Sequence, residues 1–127
     1  MDRGIIYTTG NLTAYLVYNG AAFFAMQDAG IQNADVMEET AEGFEKLCTV
    51  AEILSEQGAA VRSYMHIEPA GDRLDAVELR LNLGGLGAAK LRRAVAEAIV
   101  AGMKQDEEDS KPRTRDLIFE KLKKNKD

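Results

Sequence analysis

A mainly α fold is what the sequence predicts: a compact helical domain with a short N-terminal β-hairpin and a flexible, charged C-terminal tail. Three observations carry that prediction. Two runs rich in β-branched and aromatic residues, "IIYTT" and "LTAYLV", flank a Gly-Asn pair near the N-terminus. Two longer stretches, around Leu47 and around Val95, repeat apolar residues every three or four positions. From Lys104 onward, eight Lys/Arg and seven Asp/Glu crowd the end of the chain.

β-Branched and aromatic side chains fit a pleated surface, and Gly10-Asn11 can supply the positive φ angles of a two-residue turn. Residues 5–9 and 12–17 are therefore expected to pair as a hairpin. Asn19 follows at an N-cap position, opening a helix over "GAAFFAMQDAG" that Gly30 stops. A helix so short depends on packing, for which Phe23, Phe24 and Met26 are the available side chains. Successive helical residues point about 100° apart, so Phe23 and Phe24 cannot share one narrow face. One phenylalanine is expected in the core and the other is a candidate protein contact, and Phe23, Phe24 and Met26 together are the candidate partner-binding residues of this segment.

Asp35 followed by Glu38 has the spacing of a cap with a reciprocal carboxylate, and Gly58 is placed to close the helix that follows. Within that helix Phe44, Leu47, Cys48, Ala51 and Leu54 form the core face. "AAVRSYMHI" continues as helix until Pro69 and Gly71 interrupt it. Asp72 or Asp75 starts a further helix, "AVELRLNL", which "GGLG" terminates. Leu91, Ala94, Val95, Ala98 and Ile99 then mark the apolar stripe of a helix over residues 88–103, opposite Arg92, Arg93 and Glu97. Residues 1–104 are expected to form the domain. "KQDEEDSKPRTRD" has no apolar residue, so residues 105–116 read as a solvated linker and residues 117–127 as a short amphipathic basic segment.

A chain of 127 residues has room for one domain of ordinary size. No apolar run approaches the roughly 20 residues that span a bilayer, and Thr8 and Thr9 interrupt the N-terminal run before a secretory core can form, so a cytosolic protein is expected. The net charge of −5 disfavours a general nucleic-acid binder. Arg92 and Arg93 with the Lys-rich tail are the only DNA-binding feature, and no helix-turn-helix spacing accompanies them.

Catalytic chemistry finds little footing. His66 is the only histidine, so any Ser-His or Cys-His arrangement must use it, and it lacks the paired spacing of a helical zinc site. Cys48, among Phe44, Leu47 and Ala51, reads as a small buried hydrophobe. "GGLGAAK" fails the phosphate-loop pattern, and "DEEDSK" lacks the ligand alternation and glycine of a calcium loop. Glu38, Glu39, Glu42 and Glu45 are ordinary for a solvated helix face. No catalytic, cofactor-binding or metal-ligating residue is therefore assigned, and a non-enzymatic protein is expected.

Three stretches taken together resemble the tail assembly chaperones of long-tailed bacteriophages and prophages. They are "LTAYLVYNGAAFFAMQDAG", a strand passing into a short helix; "EGFEKLCTVAEILSEQG", a long helix; and "LRRAVAEAIVAGM", a final core helix. The ending "RDLIFEKLKKNKD" is similar to that of some members, whereas "FFAMQDAG" stands where a Glu-rich helix ending is usual. The resemblance implies a protein of the host bacterial cytoplasm that binds the long, hydrophobic, helical tape measure protein. It would keep that client soluble during tail tube assembly, with the tail tube protein as a second partner and homo-oligomerisation open. The competing class is a small helical adaptor or regulatory module that recognises another protein by a helix in a groove. In either case Leu117, Ile118, Phe119 and Leu122 form an apolar stripe among lysines, expected to dock on a partner or on a groove of the chain's own body.

Overall fold

A computed structural model describes residues 4–110 of the chain, and within them the architecture is mainly α. Strands β1 (Ile5–Thr9) and β2 (Leu12–Leu16) form an antiparallel hairpin, followed by helix α1 (Gly20–Asp28) and a 3-10 turn (Asn33–Met37). Helices α2 (Ala41–Tyr64), α3 (Ala76–Asn82) and α4 (Gly85–Ser110) complete the order. α2 is central, touching β2, α1, the 3-10 turn, α3 and α4.

The hairpin pairs Thr9 with Leu12 and Ile5 with Leu16, leaving Gly10 and Asn11 as a two-residue loop. Only Gly10 takes a positive φ, of 56°, which is the pattern of a type II′ turn. Because alternate residues face opposite sides, Tyr7, Ala14 and Leu16 turn inward together. They meet Leu47, Val50, Ala51 and Leu54 of α2 and Leu91, Val95, Ala98 and Ile99 of α4, all buried in one core. The apolar stripes read from the sequence of α2 and α4 are thus the faces that the hairpin covers.

Several boundaries differ from the sequence expectation for physical reasons. The Asp35 carboxylate accepts from the Gln32 N–H at 2.7 Å and closes the 3-10 turn, so it does not open α2. Thr40 does that, its hydroxyl accepting from the Gly43 N–H at 3.0 Å. Gly58 does not end α2, which runs on to Tyr64; a buried glycine inside a helix gives space to a neighbour. The stop is His66, in the left-handed region at φ 58°. The Ile67 and His66 N–H groups donate to the Arg62 and Ser63 carbonyls at 2.8 and 3.2 Å, a Schellman closure with histidine where glycine is usual. Gly30, at φ 74°, makes the same closure for α1. Asp75 caps α3 by accepting from the Glu78 N–H at 3.0 Å. α4 begins at Gly85 and continues through Ser110, into the stretch read as a linker. The remainder of that stretch and residues 117–127 lie outside the described residues.

Gly58 of α2 and Gly102 of α4 make way for the backbone at and after the end of the hairpin. The extended chain leaving β2 passes between α2 and α4, and a Cβ at Gly58 would overlap the Tyr15 carbonyl. At Gly102 a Cβ would overlap the Tyr18 carbonyl. Between these points the Val17 N–H donates to the Leu54 carbonyl at 3.1 Å, joining strand backbone directly to helix backbone. Overlap of this kind forces backbone movement, so Gly58→Ala and Gly102→Ala should each destabilise the fold by about 3 kcal/mol in urea unfolding. Gly85→Ala, with nothing near its added methyl, should leave stability unchanged or raise it.

Candidate functional site

α1 presents the most concentrated exposed aromatic surface among the described residues. Its start is fixed twice: the Asn19 side chain accepts from the Ala22 N–H at 3.0 Å and donates to the Gln57 side chain of α2 at 3.1 Å. One helical turn separates Ala22 from Met26, so both face inward and are buried. Phe23 and Phe24 then have to turn outward, where they are 40% and 62% exposed. Their rings meet edge to face, centroids 5.1 Å apart and planes at 77°.

The expectation of one core phenylalanine is thereby corrected. Met26, also a contact candidate from the sequence, is 1% exposed and is the core residue of the trio, so it offers no surface, and both rings remain outside. The signal for this was the Ala22-x-x-x-Met26 spacing, which fits the inward face better than either phenylalanine does.

Phe23 also forms one wall of a groove of about 320 Å³ between α1 and the last turns of α4. Tyr18, Gly20, Gly102 and half-exposed Met103 line it, with Asn19 and Asp106 as polar groups. The Tyr18 hydroxyl accepts from the Asn33 side chain at 3.3 Å, which leaves its ring free to serve as groove wall. Apolar walls with a few polar groups suit an apolar side chain carried on a polypeptide. Leu117, Ile118, Phe119 and Leu122, the other expected contact residues, lie outside the described residues.

The groups considered for chemistry are dispersed. His66, Ser63 and Glu68 line one open depression of about 650 Å³, and the hydrogen bond between His66 and Ser63 is a backbone one, from the helix closure. Glu39, Glu42 and Glu45 face cations, namely Arg92 at 3.9 Å, Lys46 at 3.4 Å and Arg80 at 3.3 Å. Arg92 is occupied within the fold, its Nε also donating to the Val36 carbonyl at 3.3 Å. No group of three or more His, Cys, Asp or Glu side chains among the described residues is placed to hold a metal ion. No described helix is long and apolar enough to cross a membrane.

Sequence reading missed the residues that fasten the 66–75 connection beside α2. Arg62, only 7% exposed, lays its guanidinium 3.7 Å from the Tyr15 ring centroid and donates to the Pro69 carbonyl at 2.7 Å. Buried Ser55 accepts from the Leu74 N–H and donates to the Glu52 carbonyl, both at 2.8 Å. Glu52 accepts from the Ala76 N–H at 2.9 Å. The available signal was two polar residues, Ser55 and Arg62, one or two turns beyond the apolar stripe on the same side of α2.

Comparison with family models, with curated proteins and with solved structures finds no match for the chain.

Cys48 is fully buried, and desolvation pushes its thiol up to about 11, with Arg80 opposing the shift. Below pH 9 the thiol is protonated in folded and unfolded chains alike. Between about pH 9 and 11 only the unfolded chain ionises, so folding stability falls as pH rises, by up to about 3 kcal/mol. Unfolding midpoints measured from pH 8 to 11 should decline more steeply for the wild type than for Cys48→Ala. In the native state at pH 8 the thiol should resist alkylation.

Proposed function

We propose that this protein is a non-enzymatic tail assembly chaperone of a long-tailed bacteriophage or prophage. It acts in the host bacterial cytoplasm, binding the hydrophobic, helical tape measure protein and keeping it soluble while tail tube subunits assemble. The observation that carries this reading is the exposed Phe23–Phe24 pair on a helix anchored at its start, beside the groove of Tyr18 and Met103. The likeness in plan of "LTAYLVYNGAAFFAMQDAG", "EGFEKLCTVAEILSEQG" and "LRRAVAEAIVAGM" to such chaperones supports it.

A helical client carries apolar side chains at every third or fourth position, and each can be withdrawn from water by an aromatic surface. Burial stabilises by about 25 cal/mol for each Å² of apolar surface, so two large exposed rings offer useful contact energy. A short helix fixed by Asn19 and Gln57 holds those rings before the client arrives, which limits the ordering cost.

Co-expression with the large, helix-rich protein encoded alongside should yield a complex, with that client insoluble when expressed alone. Phe23→Ser with Phe24→Ser should weaken capture at least tenfold while changing the melting temperature by only a few degrees. A client that is soluble alone and ignores the chaperone overturns the reading. A partner that is soluble alone yet bound through Phe23 and Phe24 selects a helical adaptor instead.

A further inference from the structure

We infer that two copies of this chain associate about a twofold axis through the open edge of β1 and the outward stripe of α4. The hairpin register carries the argument. Thr9 and Leu12 flank the two-residue loop as a hydrogen-bonded pair, so Tyr7 and Ile5 also direct their backbone groups toward β2. Ile6 and Thr8 direct theirs away, to the other edge of β1.

The matching edge of β2 is already used. The Thr13 N–H donates to the Asp72 carboxylate and the Thr13 carbonyl accepts from the Asp72 N–H, both at 2.8 Å, while Val17 bonds to Leu54. Among the described residues no other element supplies a hydrogen bond to Ile6 or Thr8. This edge also lacks the usual protections, with no lysine, proline or bulge in "IIYTT" and with Ile6 63% exposed. Two strands make a marginal sheet, and four strands shared between two copies make a sounder one.

Charge identifies the partner as a second copy. Next to β1 lies a groove of about 430 Å³ lined by Ile5, Ala96, Val100 and Ala101, with Glu97 and Lys104 also on its wall. At 100° per residue, Arg93, Glu97, Val100, Lys104 and Glu108 fall on one outward stripe of α4, and all five are exposed. The stripe therefore reads positive, negative, apolar, positive, negative. Reversed about a point between Val100 and Ala101, it places Glu97 against Lys104 and Arg93 against Glu108. An antiparallel copy meets opposite charge at all four positions, whereas a parallel copy in register meets like charge. Antiparallel pairing of β1 with itself obeys the same symmetry, as an isologous interface requires.

Analytical ultracentrifugation of the full chain tests this, and a dimer is the expected species. Glu97→Lys and Lys104→Glu should each weaken dimerisation about tenfold, since each turns two symmetry-related attractions into repulsions. An equimolar mixture of the two variants should restore a dimer, because every cross-copy pair is again of opposite sign. Thr8→Pro, which removes an outward N–H and leaves the hairpin ladder intact, should give a monomer with an unchanged helical circular dichroism signal. A wild type that stays monomeric at about 100 μM overturns the inference. So does a dimer indifferent to both charge reversals, or a mixture that fails to re-form one.

Discussion

The fold depends on one close approach: extended backbone from Tyr15 to Tyr18 lying directly on two helices. A strand does not ordinarily hydrogen-bond to a helix, whose inner groups are already paired. Here the Leu54 carbonyl of α2 accepts from the Val17 N–H, and contact is close enough that Gly58 on one side and Gly102 on the other have no room for a Cβ. The approach fixes the spacing of α2, β2 and α4 together. Leu16, fully buried and within the same stretch, thereby enters the core shared with Leu54, Leu91 and Val95.

From that anchor the polar groups beside α2 follow. Once Tyr15 sits over Gly58, its ring becomes the surface on which the Arg62 guanidinium stacks, and the charge is tolerated because the Pro69 carbonyl receives one of its N–H groups. The connection that runs past it is then fastened at Asp72, Leu74 and Ala76 by Thr13, Ser55 and Glu52. Each bond satisfies backbone that would otherwise lie against the protein without a partner. A segment rich in turn residues is thus held to the hairpin through Thr13 and to α2 through Arg62, Ser55 and Glu52. That leaves α3 correctly started, with Asp75 and Glu52 both placing carboxylate oxygens at its N-terminus, where helix N–H groups favour negative charge.

The same anchor shapes both surfaces that bear on association. Tyr18 leaves the wedge at Gly102 and becomes a wall of the groove beside Phe23, so the aromatic platform on α1 and the end of α4 are held in fixed relation. On the opposite edge of the hairpin β1 has one partner strand among the described residues, whereas the outer edge of β2 is taken by Asp72 and α2. An apolar platform and an unpaired strand edge are different kinds of surface. The first accepts side chains from a helix, and the second accepts only extended backbone.

The sequence by itself determined the elements whose signal is local: the hairpin through Gly10-Asn11, α1 through Asn19 and Gly30, α3 through a start at Asp72 or Asp75, and the apolar stripes of α2 and α4. Capping and turn geometry act within a few residues, and periodicity is set by the helix itself, so both can be read along the chain. It also pointed to Phe23, Phe24 and Met26 as a contact group, with one phenylalanine expected in the core. Only the tertiary structure decided that both rings face outward, that Gly58 is a crossing point instead of a stop, and that a histidine in the left-handed region ends α2. Those outcomes were set by neighbours distant in sequence. Tyr15 needs the space at Gly58, Tyr18 needs it at Gly102, and the core has room at α1 for Ala22 and Met26. A glycine looks the same in sequence whether it frees the backbone or makes way for another chain segment, and packing is what separates the two.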